Sequence, residues 1–373
     1  MAGHSKRPKK VAIDGRMIQP RSMHGIARYV FELVRCLSQM QTPFQFYIIV
    51  FEDSPLLKKK WPPHIFPIPT KARWISFREQ WTIPRLLQKY GIDLFHSPSF
   101  VAPFLCPSKM IMTIHDLNHL MLPQYYTPLH QFYYNTIVRY STFRSACVLT
   151  VSEFSKNEMT KYLGVPRDKV FVTYNGVSEH YKPVLDNKFL EYVRELYELP
   201  DRFVFCLSNN KPHKNVYQLI SAYVRSNVES PLVLVGPVDN TLIKLAEEYG
   251  KKHQIYFIRF IEEEHLPAVY SSCQLFVYPS GYEGFGLPPL EALACGAPVI
   301  VSRSSSLPEV VGDNAVFVNP SDIDALARTL DWFVGVLETE GNPFRESGIQ
   351  HARTFTWTAM AEKTLNLYQS CLE

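Results

Sequence analysis

The sequence predicts an α/β protein built from two doubly wound, Rossmann-like domains, and three observations carry that prediction. Short apolar runs alternate with amphipathic helical patterns along nearly the whole chain, the order expected of parallel strands joined by crossover helices. The rhythm pauses at residues 175–183, where Asn-Gly and Pro punctuate the chain, and then restarts. The length of 373 residues suits two domains of about 150 residues each, enough for two buried cores.

In the first half the strand candidates are residues 10–14, 46–51, 94–96, 110–115, 148–151 and 170–174. Helical periodicity falls at 26–40, 78–90, 129–145 and 153–163. After Pro183 the strand candidates are 203–207, 232–235, 255–260, 275–278, 298–301 and 315–318. Residues 357–368 read as one last amphipathic helix. No internal repeat is visible, so two similar architectures are expected rather than a duplicated sequence. The expected division is 1–180, 181–352 and a C-terminal helix within 353–373. Doubly wound domains place a ligand outside the carboxyl ends of their strands, here in a cleft that the two domains face.

Composition excludes several classes. With 46% hydrophobic and 20% charged residues the chain is not globally disordered. No apolar run reaches the roughly 18 residues of a spanning helix. Lys6, Arg7, Lys9 and Lys10 are followed by Val11-Ala12-Ile13 and then Asp14, so no signal peptide is expected. The seven cysteines are scattered, odd in number and never form C-x-x-C, which points to a reducing, cytoplasmic compartment. Charge is asymmetric: residues 1–180 carry 23 basic against 11 acidic side chains, the remainder 16 against 24. The first half is therefore expected to meet something anionic.

The densest motif follows the strand candidate 275–278. Gly281, Gly284 and Gly286 let the backbone approach a ligand, or simply make a tight turn. Pro288 and Pro289 suit the first turn of a helix whose free amides attract an anion such as diphosphate. Glu283 and Glu291 flank this nest, eight residues apart. Carboxylates there suit sugar or ribose hydroxyls; Glu291 taken alone also reads as a first-turn residue complementing the helix dipole.

Glu283-Gly-Phe-Gly-Leu-Pro-Pro-Leu-Glu291 resembles the E-x7-E signature of the group 1 glycosyltransferases, retaining enzymes of the two-Rossmann-domain GT-B architecture. The resemblance covers almost the whole chain. Gly25-Ile26-Ala27-Arg28-Tyr29 matches the family's first Gly-rich loop. Thr113-Ile114-His115-Asp116-Leu117, the segment Thr150 to Lys156, Tyr174-Asn175-Gly176-Val177 and Lys211-Pro212-His213-Lys214-Asn215 follow in the expected order. The resemblance implies that Glu291 binds the ribose, and that Glu283 with the amides of Gly284, Phe285, Gly286 and Leu287 holds the sugar and diphosphate. It further implies that Lys214 with Lys211 neutralises the leaving diphosphate, that His115 lies beside the sugar, and that Gly25 lets a loop approach the phosphate or the acceptor. Arg259, Phe260 and Ile261 fall where the base is held, and the C-terminal helix is expected to pack back on the first domain. Ser208, His213, Arg259 and Ala27 depart from the family pattern. Cations at a helix start are disfavoured by the dipole, so a bound anion explains Lys211 and Lys214 better than a solvated face.

Asp322-Ile323-Asp324 has a metal-binding look, yet it opens a helical pattern and is expected to cap it. No metal and no other cofactor are expected. The expected reaction moves a sugar, with mannose and a GDP-sugar favoured, onto a glycan or lipid-linked acceptor by front-side substitution. The basic clusters at residues 6–10 and 58–60, with Trp61, Phe66, Trp74, Phe77 and Trp81 nearby, suggest docking on an anionic membrane, the inner face of the cell membrane. No nucleic-acid module is present. The alternatives are a nucleotide-sugar epimerase of the same fold and a catalytically silent partner subunit.

Overall fold

The computed structural model describes residues 7–18, 25–207, 209, 211–237, 240–249 and 251–373. It divides into two compact units, Met1–Gly176 with Trp357–Glu373, and Val177–Thr356.

The first unit is built on seven strands: β1 (Lys9–Asp14), β2 (Phe44–Phe51), β3 (Ile65–Thr70), β4 (Leu94–Ser97), β5 (Lys109–Thr113), β6 (Cys147–Thr150) and β7 (Val170–Val172). All pair in parallel, in the order β3-β2-β1-β4-β5-β6-β7. The second unit carries β8 (Val204–Leu207), β9 (Leu232–Val235), β10 (Ile255–Ile258), β11 (Leu275–Tyr278), β12 (Val299–Ser302) and β13 (Val316–Val318). These are also parallel, in the order β10-β9-β8-β11-β12-β13. Both are doubly wound α/β sheets whose chain path reverses beside the first strand of the unit. The continuous apolar runs follow from burial on both faces: Val11, Ala12 and Ile13 are fully buried, as are Leu232 and Val233.

The structure corrects the sequence reading in several places. β3 was not among the candidates, because Pro67 and Pro69 argue against a strand. It survives as the edge strand, where residues two apart turn their missing N–H groups to the same, open side. β5, β7 and β10 end at Thr113, Val172 and Ile258, so His115, Arg259 and Phe260 lie in loops beyond the strand ends. The helical pattern at 129–145 is Pro128–Tyr133, a π-helical turn Tyr134–Val138, and Arg139–Arg144. The pattern at 153–163 likewise closes in a π turn, Met159–Leu163, after Ser152 caps its start by accepting from the Ser155 N–H at 3.1 Å. A single π turn leaves the helical pattern on either side readable, so periodicity alone does not mark it.

The C-terminal helix, Trp357–Leu372, belongs to the first unit and packs on the helix Gly25–Gln39. Among the described residues no helix is long and apolar enough to cross a membrane.

Candidate active site

β8 and β11 are hydrogen-bonded neighbours, so the loops leaving their carboxyl ends emerge side by side at the switch point of the second sheet. The first ends in a 3-10 turn, Pro212–Lys214, after which Asn215 takes a left-handed φ of 54° and opens the helix Val216–Arg225. The Asn215 side-chain amide donates to the Pro279 carbonyl at 2.9 Å, and the Gly281 N–H donates to the His213 carbonyl at 2.7 Å. A Cβ at Gly281 would lie 3.2 Å from Asn215 Nδ2, so a larger residue there would press on the amide that laces the two loops.

This lacing brings together residues 64 to 69 positions apart. The Lys214 ammonium donates to the Tyr278 hydroxyl at 2.8 Å and to Glu283 Oε1, and the Tyr278 hydroxyl donates to the same carboxylate oxygen at 2.7 Å. The Lys214 and Glu283 side chains are 11% and 15% exposed. Burial pushes the Glu283 carboxyl up most strongly of any single effect, and the Lys214 charge opposes it. With hydrogen bonds from Lys214, Ser280 and Tyr278, that charge holds the carboxyl below its ordinary value. Burial, with Glu283 alongside, pushes the Tyr278 hydroxyl well up, so it stays a donor. Burial beside Lys214 pushes the His213 imidazole down to about 4, leaving the ring neutral at neutral pH.

The loop 279–286 is tied from behind by serines that sequence reading missed. Ser302 donates to the Ser280 carbonyl, Ser305 Oγ accepts from the Glu283 N–H at 3.0 Å, and the Ser306 hydroxyl reaches the Glu283 and Phe285 carbonyls at 3.0 and 2.7 Å. The available signal was the serine-rich run directly after an apolar strand. Gly286, at φ 111°, enters the helix Leu287–Ala294, whose first turn holds Pro288 and Pro289. Glu291 is the fifth residue of that helix, not part of its first turn, so the helix-dipole reading fails. It is 3% exposed, and the Tyr270 hydroxyl donates to it at 3.4 Å.

Lys211 is exposed, its N–H donating to Asn209 Oδ1 at 3.1 Å. Ser208 lies outside the described residues. Gly284 stays in the loop, Phe285 is buried against the Phe355 ring at 5.8 Å, and Leu287 begins the helix. Arg259 and Phe260 are exposed at the end of β10, a sheet-edge strand, and Ile261 is buried. Gly25 begins its helix with no described atom within 4 Å of where a Cβ would stand, so its neighbours do not demand glycine.

In the first unit His115 lies just beyond β5. Its Nε2 is 3.1 Å from the Pro98 carbonyl, its own carbonyl accepts from Ser155 Oγ at 3.0 Å, and the Tyr29 ring stands edge-on at 4.9 Å. Beneath it runs a buried chain: the Tyr29 hydroxyl lies 3.2 Å from Thr113 Oγ1, Thr113 Oγ1 lies 2.8 Å from His96 Nε2, and His96 Nδ1 lies 2.5 Å from the Tyr368 hydroxyl. Burial, helped by His115, pushes His96 down to about 3, so it serves as a neutral link.

Asp322 accepts from the Ala325 N–H at 2.8 Å and caps the helix Ile323–Thr339, as its sequence context implies, while Asp324 pairs with Arg225 at 2.7 Å. Among the described residues, no three or more His, Cys, Asp or Glu side chains form a group suited to holding a metal.

A doubly wound pair of units with an E-x7-E loop at the second switch point is the arrangement of a GT-B glycosyltransferase. Residues 193–352 match the family model for glycosyl transferases group 1, and residues 23–181 match that for glycosyltransferase family 4. The chain belongs to the group 1 glycosyltransferase family. It is 29% identical over 303 residues to O-antigen chain mannosyltransferase B of Escherichia coli, spanning 78% of this chain and 77% of that relative. It is 32% identical over 260 residues to the serotype-specific mannosyltransferase WbdA of Escherichia coli, spanning 65% of this chain but 32% of WbdA. The fold matches that of Anabaena HepE, solved in complex with UDP and glucose, with a TM-score of 0.76 at 17% identity over 97% of this chain and 100% of that one.

Proposed function

We propose that this glycosyltransferase moves mannose from a nucleotide-diphosphate donor, with a GDP-sugar favoured, onto a glycan or lipid-linked acceptor, with retention and without a metal. The observation that carries the reading is the Lys214–Tyr278–Glu283 cluster at the switch point, followed by a helix start and the buried Glu291. The mannose assignment draws support from the relatives named as mannosyltransferases.

In this reading the anomeric carbon–oxygen bond to the diphosphate breaks, and Lys214, Lys211 and the amides of Gly284 to Leu287 take up the charge that develops. Fixed donors of this kind contribute about 10²–10³ in rate each. Glu283 accepts hydroxyls of the sugar, Glu291 those of the ribose, Arg259 to Ile261 border the base, His115 serves the sugar, and Gly25 serves the phosphate or the acceptor. Glu283 is a poor nucleophile, because Lys214 and Tyr278 occupy one oxygen and its low proton affinity weakens attack. A double displacement through it is therefore disfavoured. In the front-side route the acceptor oxygen bonds the anomeric carbon on the face the diphosphate leaves, and its proton passes to a phosphate oxygen. The acceptor is delivered at a cytoplasmic, anionic membrane surface by the basic first unit.

A thermal-shift panel of GDP-, UDP-, ADP- and dTDP-sugars, with and without chelator, tests the donor on wild type and Glu291→Ala. A donor at 100 times its Kd adds about 2.7 kcal/mol. The reading stands if one nucleotide class stabilises wild type, survives chelation and fails on the variant. It is lost if no nucleotide sugar stabilises the protein, or if a covalent glycosyl adduct is trapped on Glu283.

A further inference from the structure

Between Asp93 and Glu153 the chain contains a single carboxylate, Asp116, and it accepts from the Asn118 N–H at 3.0 Å. Over the same stretch the helical run 128–144 presents an apolar stripe. Leu129 and Phe132 are 73% and 64% exposed, and Tyr140 and Phe143 continue the stripe at helical spacing, on the face away from the buried Tyr134 and Val138. Arg139 and Arg144 lie exposed beside it, and Arg144 donates to the Tyr140 hydroxyl at 3.1 Å.

A second segment carries the same character. Phe77 is 89% exposed, and Trp81 follows one helical turn later, also exposed. Ile75 is exposed at a left-handed φ of 55°, uncommon for a β-branched residue. The loop is nonetheless held firmly. The buried Arg16 guanidinium donates to both Asp14 oxygens, to Glu79 at 2.9 Å, and to the Ala72 and Arg73 carbonyls at 3.1 and 3.3 Å. Buried ion pairs add little stability on balance, so what this one supplies is shape: a fixed loop with an apolar tip.

The two segments are joined. Gln80 Nε2 donates to the Ala102 carbonyl at 3.4 Å, and Gln80 Oε1 accepts from the Phe104 N–H at 2.7 Å. The Phe104 ring stacks on Tyr140 at 4.3 Å and 15°, beside the exposed Leu105.

We infer that this linked apolar surface of the first unit docks on an anionic phospholipid bilayer, its aromatic and aliphatic tips entering the headgroup region and its arginines meeting lipid phosphates. The inference deepens the membrane part of the proposed function and rests on that part alone. Contiguous exposed apolar surface marks an interaction site, and aromatic side chains favour the membrane interface. Charge selects the occupant. Arg73, Arg78, Arg139 and Arg144 border the patch, while Glu79, the carboxylate nearest its tip in sequence, is buried on Arg16. A second copy would bring no carboxylates from this stretch to those arginines; anionic headgroups neutralise them.

Full-length protein is sedimented with vesicles of phosphatidylglycerol and phosphatidylcholine, or of phosphatidylcholine alone. The comparison variant is Phe77→Ser/Leu105→Ser, whose changes lie at exposed positions. Wild type should bind the anionic vesicles, release at high salt, and show a blue-shifted tryptophan emission that Trp81→Phe diminishes. The double variant should bind at least about tenfold more weakly, given the apolar area removed. No binding by wild type at low salt overturns the proposal, as does equal binding by the variant. Self-association in solution that the variant abolishes, without vesicle binding, assigns the surface to a second copy and also overturns it. Nucleotide-sugar thermal shifts are run on both proteins, so loss of the donor reading and loss of the docking surface are distinguished.

Discussion

At Glu283 two opposing effects meet. Burial raises the cost of ionisation, while the Lys214 ammonium and hydrogen bonds from Ser280 and Tyr278 together lower it by more. A carboxyl held below its unfolded value contributes stability that is present above the ordinary carboxylate range and is lost as pH falls through the folded value. Replacing Lys214 with Met leaves burial opposed only by the Ser280 and Tyr278 hydroxyls. We expect Lys214→Met to reduce transfer by about 10²–10³-fold and to move the acid limb of the pH–rate profile to higher pH, whereas wild type stays flat through neutral pH. An unshifted limb in the variant would show that Glu283 does not depend on Lys214. Of the two charged members of this cluster, Glu283 was legible from the glycine-rich loop it flanks, and Lys214 only through the family resemblance. Tyr278 was not: it read as the last apolar residue of a strand, and only the pairing of β8 with β11 turns its hydroxyl into a link. The chain from Tyr29 to Tyr368 was equally hidden, since His96 and Tyr368 are 272 residues apart and each alone looks like a core residue.

Between strand and helix, Gly286 decides how the loop 279–286 delivers its amides. Its φ of 111° suits glycine, and a Cβ there would stand 2.6 Å from Leu307 Cδ2. Gly286→Ala should therefore lower stability by about 1–3 kcal/mol and weaken donor binding. Adding Leu307→Ala should relieve the clash but not the backbone strain, so recovery in a thermal-shift titration should be partial. Full recovery would mean the conformation itself is unimportant. At this scale the sequence was most informative where strands are buried on both faces, as in β1, β9 and β11, since apolar runs then have one interpretation. It was least informative where tertiary context overrides local preference. Pro67 and Pro69 are tolerated because β3 lies at an edge, and π turns interrupt two helices whose apolar period looked continuous.

Over the whole chain, the division between units was legible from punctuation and charge, whereas the anchoring of the last helix depends on contacts that no local pattern reveals. Tyr368 is fully buried, hydrogen-bonded to His96 and 6.3 Å from the Phe46 ring. The neighbouring Cys371 lies 3.8 Å from Cys147, sulfur to sulfur, and its carbonyl accepts from Lys109 at 2.7 Å. Tyr368→Phe should cost about 1–3 kcal/mol, because His96 loses its partner in a buried setting. Tyr368→Ala should cost about 3–5 kcal/mol through the cavity as well. Both losses should appear in denaturant unfolding of the first unit, and equal effects of the two variants would exclude a role for the hydroxyl.

That anchoring also orders events during synthesis. The second unit is one uninterrupted segment, Val177–Thr356, whereas the first needs residues on both sides of it. As the chain emerges from the ribosome, the sheet made first must wait, its His96 and Phe46 uncovered, until the helix Trp357–Leu372 follows the second unit. The half translated later is therefore the half that completes its fold first, and the nascent N-terminal sheet is the stage at which chaperones have most to protect.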